Sequence, residues 1–336
     1  TQECNARCAY CFAEHNKKVT MNQQTVSNVV DYFKENFKCG ERVLLRWFGG
    51  EPLVAQDIID NIIDGIDEVF AGNLLYDSIL FTNGSLLTDD IIEKAKEKWH
   101  LKKIQLTLDG YATEHNKRKA YLSSGPNFYK KVLDDIKKLL DVGIQVDCRV
   151  NFDKDNIVQI DNILQDLLPY KANELFRVRM TILRPSDCGY NKFNYITSSD
   201  LEWAYNIIYN KLYQYGFLTN VKDLVPQRQK ESCIAKSVNK IIIGADGKLY
   251  KCLQQIFDNS HSVGDLKSGI SQRAYDEYCK RMLNDECREC VYLPVCSGGC
   301  LAYWELNERE NISPCKREKF FIDLLLDLVH KWENLN

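Results

Sequence analysis

Three cysteines near the start of the chain, spaced Cys4-x3-Cys8-x2-Cys11, have the residue type and spacing for metal chemistry. Cysteine thiolates are the usual ligands of iron–sulfur clusters, and three of them can hold three irons of a [4Fe–4S] cubane. The loop supplies no fourth cysteine, so one iron keeps a position for a small chelating ligand. Two other readings use the same residues. Positions i, i+4 and i+7 place three small apolar side chains on one helix face, and cysteine is often buried. A zinc knuckle would need another ligand, because structural zinc sites are closed by four. The aromatic Tyr10 directly before Cys11 and a second cysteine-rich region downstream favour the cluster.

A ligand bound through an amine and a carboxylate would also need acceptors and a cation. Gly49-Gly50 exposes backbone groups and lets a ligand approach closely, and Glu51 offers a carboxylate. Arg149 and Asn151 fall on one face of a predicted strand, where they can reach a carboxylate. A plain strand-to-helix turn and a surface arginine are the simpler explanations of each alone.

The elements that must position these residues alternate. Helices are predicted over 19–37, 57–70, 88–98, 127–142, 155–168 and 198–215 from apolar stripes, with Asn22 as a cap and Gly143 as a stop. Strands are predicted at Val43–Phe48, Tyr76–Phe81, Lys103–Leu108, Ile144–Val150 and Leu175–Leu183, with 111–125 a polar loop. Such alternation means a parallel sheet with crossover helices. The chemistry-bearing residues fall just after strand C-termini, the end that carries the chemistry in βα barrels. Counting one strand upstream of Thr1 gives six repeats, a partial (β/α)6 barrel over 1–220. Residues 221–336 form a second domain of short hairpins and helices, ending in a helix with Phe320, Phe321, Leu324, Leu325 and Leu328 towards a core.

The chain has 336 residues and a net charge of −3, with 45% hydrophobic and 27% charged residues, as an ordinary globular protein does. No basic footprint points to nucleic acid, and no apolar run reaches membrane-span length. Thr1 in place of Met leads us to expect that the natural chain begins further upstream. Fourteen cysteines in clustered spacings read as metal ligands in a reducing compartment, the cytoplasm, rather than as disulfides.

Together these residues resemble the radical S-adenosylmethionine enzymes, over essentially the whole chain. By that resemblance Cys4, Cys8 and Cys11 hold a [4Fe–4S] cluster whose fourth iron is chelated by the methionyl amine and carboxylate of S-adenosylmethionine. Gly49-Gly50-Glu51-Pro52 is similar to the segment that binds the methionyl amine. Thr82, Asn83, Thr107 and Asp109 occupy strand ends that line the cosubstrate, and Arg149-Val150-Asn151 resembles the motif near its carboxylate.

The pattern Cys233, Gly247-x4-Cys252, Cys287-x2-Cys290-x5-Cys296-x3-Cys300, Cys315 resembles the SPASM extension of peptide-modifying members, with two auxiliary [4Fe–4S] clusters. The resemblance assigns Cys287, Cys290, Cys296 and Cys315 to the outer cluster, and Cys233, Cys252 and Cys300 to the inner one. A zinc ribbon would explain the C-x2-C pair alone. Sulfatase maturases have a further cysteine before the position of Cys233, where Gln227 and its neighbours offer none. They also place an aspartate where Leu253 stands, so formylglycine formation is disfavoured. Cys39, Cys148 and Cys279 read as structural, Cys148 as core. Cys188 and Asp187, in a loop after the last predicted strand, are candidate hydrogen-atom donor or ligand and candidate base. The resemblance thus implies a maturase that cross-links a ribosomally made peptide through thioether or carbon–carbon bonds, with a leader peptide and an electron donor such as flavodoxin or ferredoxin. A peptide epimerase, a sulfatase-type maturase and a non-catalytic iron–sulfur or zinc electron-transfer protein are the alternatives.

Overall fold

The computed structural model describes residues 1–8, 10–11, 13, 19–123, 125, 127–183, 194–220, 235, 237, 239–280, 285–300 and 314–333. Cys188, Asp187, Gln227 and Cys233 lie outside the described residues, as do the side chains of Cys279, Cys315, Phe320 and Phe321. Two compact units divide the chain, 1–196 with 210–217 and 197–209 with 218–336.

In the first unit the order is α1 (Gln23–Asn36), β1 (Arg42–Trp47), α2 (Gln56–Phe70), β2 (Leu75–Thr82), α3 (Asp89–Glu97), β3 (Leu101–Leu108), α4 (Thr113–Lys119), α5 (Phe128–Asp141), β4 (Gln145–Phe152), α6 (Ile160–Leu167) and β5 (Phe176–Ile182). The helix α7 (Leu201–Gln214) follows and is divided between the units. The strands form one parallel sheet in the order β1-β2-β3-β4-β5. With β1 and β5 at its edges, the sheet stays open among the described residues, as a partial barrel does. The fold is α/β, and the predicted strands and helices stand within a few residues of their expected bounds.

Local chemistry explains the elements. Asn22 caps α1 by accepting from the Thr25 N–H, and Thr88 caps α3 by accepting from Ile91. The stripe Ile59, Ile62, Ile63 and Ile66 on α2 is buried, as the helical period requires. On β3 and β4, Ile104, Leu106, Leu108, Val146, Cys148, Val150 and Phe152 are fully buried. Cys148 is a core residue, as expected.

One expectation needs correction. The polar stretch 111–125 contains α4, seven residues rich in charge. Three of its polar side chains turn inward: His115 is 0%, Arg118 7% and Lys119 3% exposed. Arg118 grips Asp153 through both terminal guanidinium nitrogens at 2.6 and 3.0 Å, and its Nε donates to Glu114 at 2.7 Å. Charge read along a sequence means solvent by default, and only burial of the partner Asp153 reverses that.

In the second unit β6 (Ile242–Ile243), β7 (Lys248–Tyr250), β8 (Gly264–Asp265) and β9 (Gly269–Ile270) form an antiparallel sheet in that order. The turn Gly244–Gly247 closes with the Gly247 N–H on the Gly244 carbonyl, and Gly247 has φ +81°, a conformation glycine adopts readily. The helices α8 (Gln272–Lys280), α9 (Asp285–Arg288), α10 (Leu293–Cys296) and α11 (Pro314–Glu333) complete it. Leu324, Leu328 and Trp332 of α11 pack with Tyr205, Tyr209 and Leu218. No helix among the described residues is long and apolar enough to cross a membrane.

Arg118→Met leaves the Asp153 carboxylate buried without its cation. The expected cost is about 3–5 kcal/mol of stability, read as a lower urea midpoint; an unchanged midpoint would refute the inward-facing α4.

Candidate functional site

The residues that carry the site lie at the C-terminal ends of β1 to β4, in the first unit. Residues 1–3 run beside the end of β1, where the Gly50 N–H donates to the Thr1 carbonyl at 3.0 Å and the Glu51 N–H to that of Glu3 at 2.8 Å. A Cβ at Gly49 would overlap the Thr1 carbonyl oxygen, and one at Gly50 that of Glu3. Both glycines are therefore demanded by the chain's own backbone. On the other side the Gln2 N–H donates to the Val19 carbonyl at 2.7 Å, so the loop between is closed at its base.

That loop holds Cys4, Cys8 and Cys11, all half-buried. The Ala6 N–H points at the Cys4 sulfur and the Ala13 N–H at the Cys11 sulfur, each at 3.4 Å. Two sulfurs thus receive an amide from the residue two positions on, and such bonds tune iron–sulfur clusters. The Cys8 thiol faces the Lys119 carbonyl at 3.8 Å. Burial raises all three thiols, Cys8 to about 12, so iron would displace protons on binding. Three thiols and amide-to-sulfur bonds in one loop fit a [4Fe–4S] group.

Glu51 is 1% exposed and joins two strand ends. Its carboxylate accepts from Thr82 Oγ1 at 2.7 Å, the Asn83 N–H at 2.8 Å and the Leu53 N–H at 3.1 Å. Burial raises its pKa although these donors oppose the shift. Pro52 opens the turn Pro52–Ala55 that Glu51 caps. Asn83 in turn donates to Asn5 of the cysteine loop at 2.9 Å, and Ser85 links the two.

A second polar cluster lies under the loop. Asp109, 0% exposed, accepts from Tyr10 at 2.5 Å and from Asn151 at 2.8 Å, and pairs with Lys119 at 3.1 Å. Asn151 accepts from Arg149 Nε at 3.0 Å. Burial works against both charges of the pair, but each partner offsets it: Lys119 stands well above the usual lysine range and Asp109 below the usual carboxylate range. His115 Nδ1 accepts from the Asp109 N–H at 3.2 Å, which leaves the ring proton on Nε2 towards Tyr121. Burial, then Lys119, lowers the His115 pKa to about 3, so the ring is neutral.

Of the residues expected to meet a cosubstrate, Glu51, Thr82, Asn83, Asp109 and Asn151 come together, engaged mainly with one another and with the cysteine loop. Thr107 and Arg149 are half-buried partners in the β3–β4 register. Asn5, Ser85, His115, Arg118, Lys119 and Asp153 escaped sequence reasoning. Tyr10 carried a signal, as the aromatic before Cys11.

The described cysteines of the second unit lie after β7 and in or just after the short helices α9 and α10. Cys252 follows β7 and is buried, as is Cys287 in α9; Cys290, Cys296 and Cys300 are half-buried. Between Cys296 and Cys300, Ser297, Gly298 and Gly299 all have positive φ, 53°, 80° and 75°. Left-handed residues of this kind build concavities of backbone N–H that serve many iron–sulfur sites. Beside Cys252, Lys251 is 1% exposed, with its ammonium 2.6 Å from the Ser237 carbonyl.

Two variants test this site. Gly50→Ala pushes residues 1–3 off the strand end, with an expected loss of about 1–3 kcal/mol and weaker iron retention after anaerobic reconstitution. The second concerns acid. Between pH 6.5 and about 3 the unfolded chain takes up a proton that folded His115 refuses. Stability therefore falls as the pH is lowered through that range, by about 1.4 kcal/mol per unit. His115→Asn keeps the bond from the Asp109 N–H and is expected to flatten the acid limb of a denaturant-midpoint profile.

Comparison with known proteins gives these features a family. Over 318 residues the chain is 25% identical to the GTP 3′,8-cyclase of Clostridium perfringens, covering 85% of this chain and 88% of that protein. It is 23% identical over 337 residues to the radical SAM cyclopropyl synthase TigE of Paramaledivibacter caminithermalis, covering 90% of this chain and 66% of that one. In fold it is similar to native anSMEcpe with bound AdoMet and Cp18Cys peptide, at TM-score 0.76 and 16% identity, over 100% of this chain and 97% of that one. Residues 1–167 match the Radical SAM superfamily. The cysteine loop and strands β1–β4 therefore belong to a radical SAM superfamily domain.

Proposed function

We propose that the protein is a radical S-adenosylmethionine maturase that takes a hydrogen atom from a ribosomally made peptide and closes a thioether or carbon–carbon cross-link. The observation that carries this reading is the second unit, where Cys252 follows a glycine-closed hairpin and Cys287, Cys290, Cys296 and Cys300 fall within fourteen residues, in and just after two one-turn helices. The likeness in fold to anSMEcpe, whose structure holds AdoMet and a peptide, supports it.

When bound, S-adenosylmethionine and a reduced [4Fe–4S] cluster supply a 5′-deoxyadenosyl radical; the protein's part is to bind, orient and exclude water. Cys4, Cys8 and Cys11 would hold that cluster, on a loop fixed by Glu51 and Asp109. Arg149 would pair with the cosubstrate carboxylate, beside Thr107. Cys287, Cys290, Cys296 and Cys315 would hold an outer auxiliary cluster, and Cys233, Cys252 and Cys300 an inner one. Cys188 and Asp187 would act on the substrate. A leader peptide and a flavodoxin- or ferredoxin-type electron donor would be the partners. The similarity to a GTP 3′,8-cyclase over most of the chain favours a second reading, in which the substrate is a nucleotide.

Anaerobic reconstitution tests the proposal. The expected result is about twelve irons per chain and 5′-deoxyadenosine formation under reduction, with a co-expressed peptide losing two hydrogens per cross-link. Replacing Cys4, Cys8 and Cys11 by Ala is expected to remove about four irons and all 5′-deoxyadenosine. Turnover of GTP with the peptide unchanged would select the nucleotide reading instead.

A further inference from the structure

The five-stranded sheet has two unlike faces. Alternate residues of β3 and β4 are fully buried and apolar, and the intervening ones are polar. The register carries that polar face across the sheet: Arg46 lies opposite Ile79 and Ile79 opposite Lys103, and Arg149 lies opposite Arg179. Its charged members among the described residues are Arg42, Arg46, Lys103, Arg149, Arg177 and Arg179, against Asp77, Asp147 and Asp109. Asp147 is already shared, with Lys103 at 2.6 Å and Arg179 at 3.4 Å, and its side chain is 5% exposed. The cations outnumber the acids and stand further out: Arg46 and Arg177 are exposed, and the Arg179 side chain is 62% exposed. At its C-terminal end the same face carries Asp109 and Asn151, which hold the cysteine loop.

We infer that this face binds an acidic segment of the substrate peptide, lying extended with carboxylates at alternate positions against Arg177 and Arg179. The inference rests on the peptide reading above. Arg177 and Arg179 are two residues apart on β5, so about 6.6 Å separates them along the strand. That is also the repeat of alternate side chains on an extended peptide. Arginine's planar fork matches a carboxylate in two parallel hydrogen bonds. Nη1 of Arg177 donates to the Glu174 and Phe176 carbonyls, at 2.6 and 2.8 Å, which leaves the Nε–Nη2 edge as the donor pair for a carboxylate. A compact polyphosphate calls for donors converging on one place, whereas these are strung along a strand and over neighbouring strands about 4.8 Å apart. A cationic face of this kind also steers an acidic partner inward.

Binding measured by fluorescence anisotropy tests this with the full chain, a labelled (Glu-Ala)4 peptide, its (Gln-Ala)4 counterpart and GTP. The acidic peptide is expected to bind at least about tenfold tighter than the amide one, less so as salt rises. Arg177→Gln/Arg179→Gln, checked for folding by circular dichroism, is expected to lose most of that preference. Should that variant not fold, Arg46→Gln at the opposite edge reads the same face, with an expected loss of about threefold. Equal binding of the two peptides, undiminished acidic-peptide binding by a folded variant, or GTP binding tighter than the acidic peptide would each overturn the inference. Because binding needs no radical chemistry, acid-selective binding without peptide modification overturns the maturase reading alone. Modification that is indifferent to the acidic residues overturns this inference alone.

Discussion

The buried ion pair between Lys119 and Asp109 is the constraint on which the cysteine loop depends. Both side chains are almost fully out of water, at 4% and 1% exposure, and a buried pair holds only with good geometry and further hydrogen bonds. Tyr10 and Asn151 supply those bonds. Tyr10 comes from the loop, Asp109 from the end of β3, Lys119 from α4 and Asn151 from β4. Four stretches remote in sequence are thus held at one point by groups that cannot separate without stranding a charge.

Glu51 does for the other side of the loop what Asp109 does for this one. Each is a carboxylate at a strand end, and each is consumed by the protein itself. Glu51 links β1 to Thr82 and Asn83 of the next strand end, and Asn83 hands the connection on to Asn5. Conserving the positions of three sulfurs to within the tolerance of a cluster needs such rigid support. Glu51 and Asp109 thus brace the cysteine loop from two sides.

Much of this was legible in the chain. The apolar stripes of α2 and α5 and the short runs that became β2, β3 and β4 were readable because packing against a sheet leaves a period in the sequence. The cysteine spacings were readable because each lies within a few residues of the next. The helix α4 was not: Thr113–Lys119 has the composition of a solvated loop. Its burial follows from Asp109 and Asp153, which arrive from β3 and the end of β4. Glycines 49 and 50 were legible as special positions, but the reason, the carbonyls of Thr1 and Glu3, lies some fifty residues away in the chain.

The sequence by itself determined the alternation of strands and helices, the three-thiol loop, and the second cysteine-rich region with its glycine-closed hairpin. These are local facts, fixed by hydrophobic period, by turn chemistry and by spacing along one stretch. Only the tertiary structure decided which polar groups face inward. The ionisation of Lys119 and Asp109 and the neutrality of His115 follow from burial among remote neighbours. Burial raises the cost of every unpaired charge, so partners that are distant in sequence, not residue types, set what each group does.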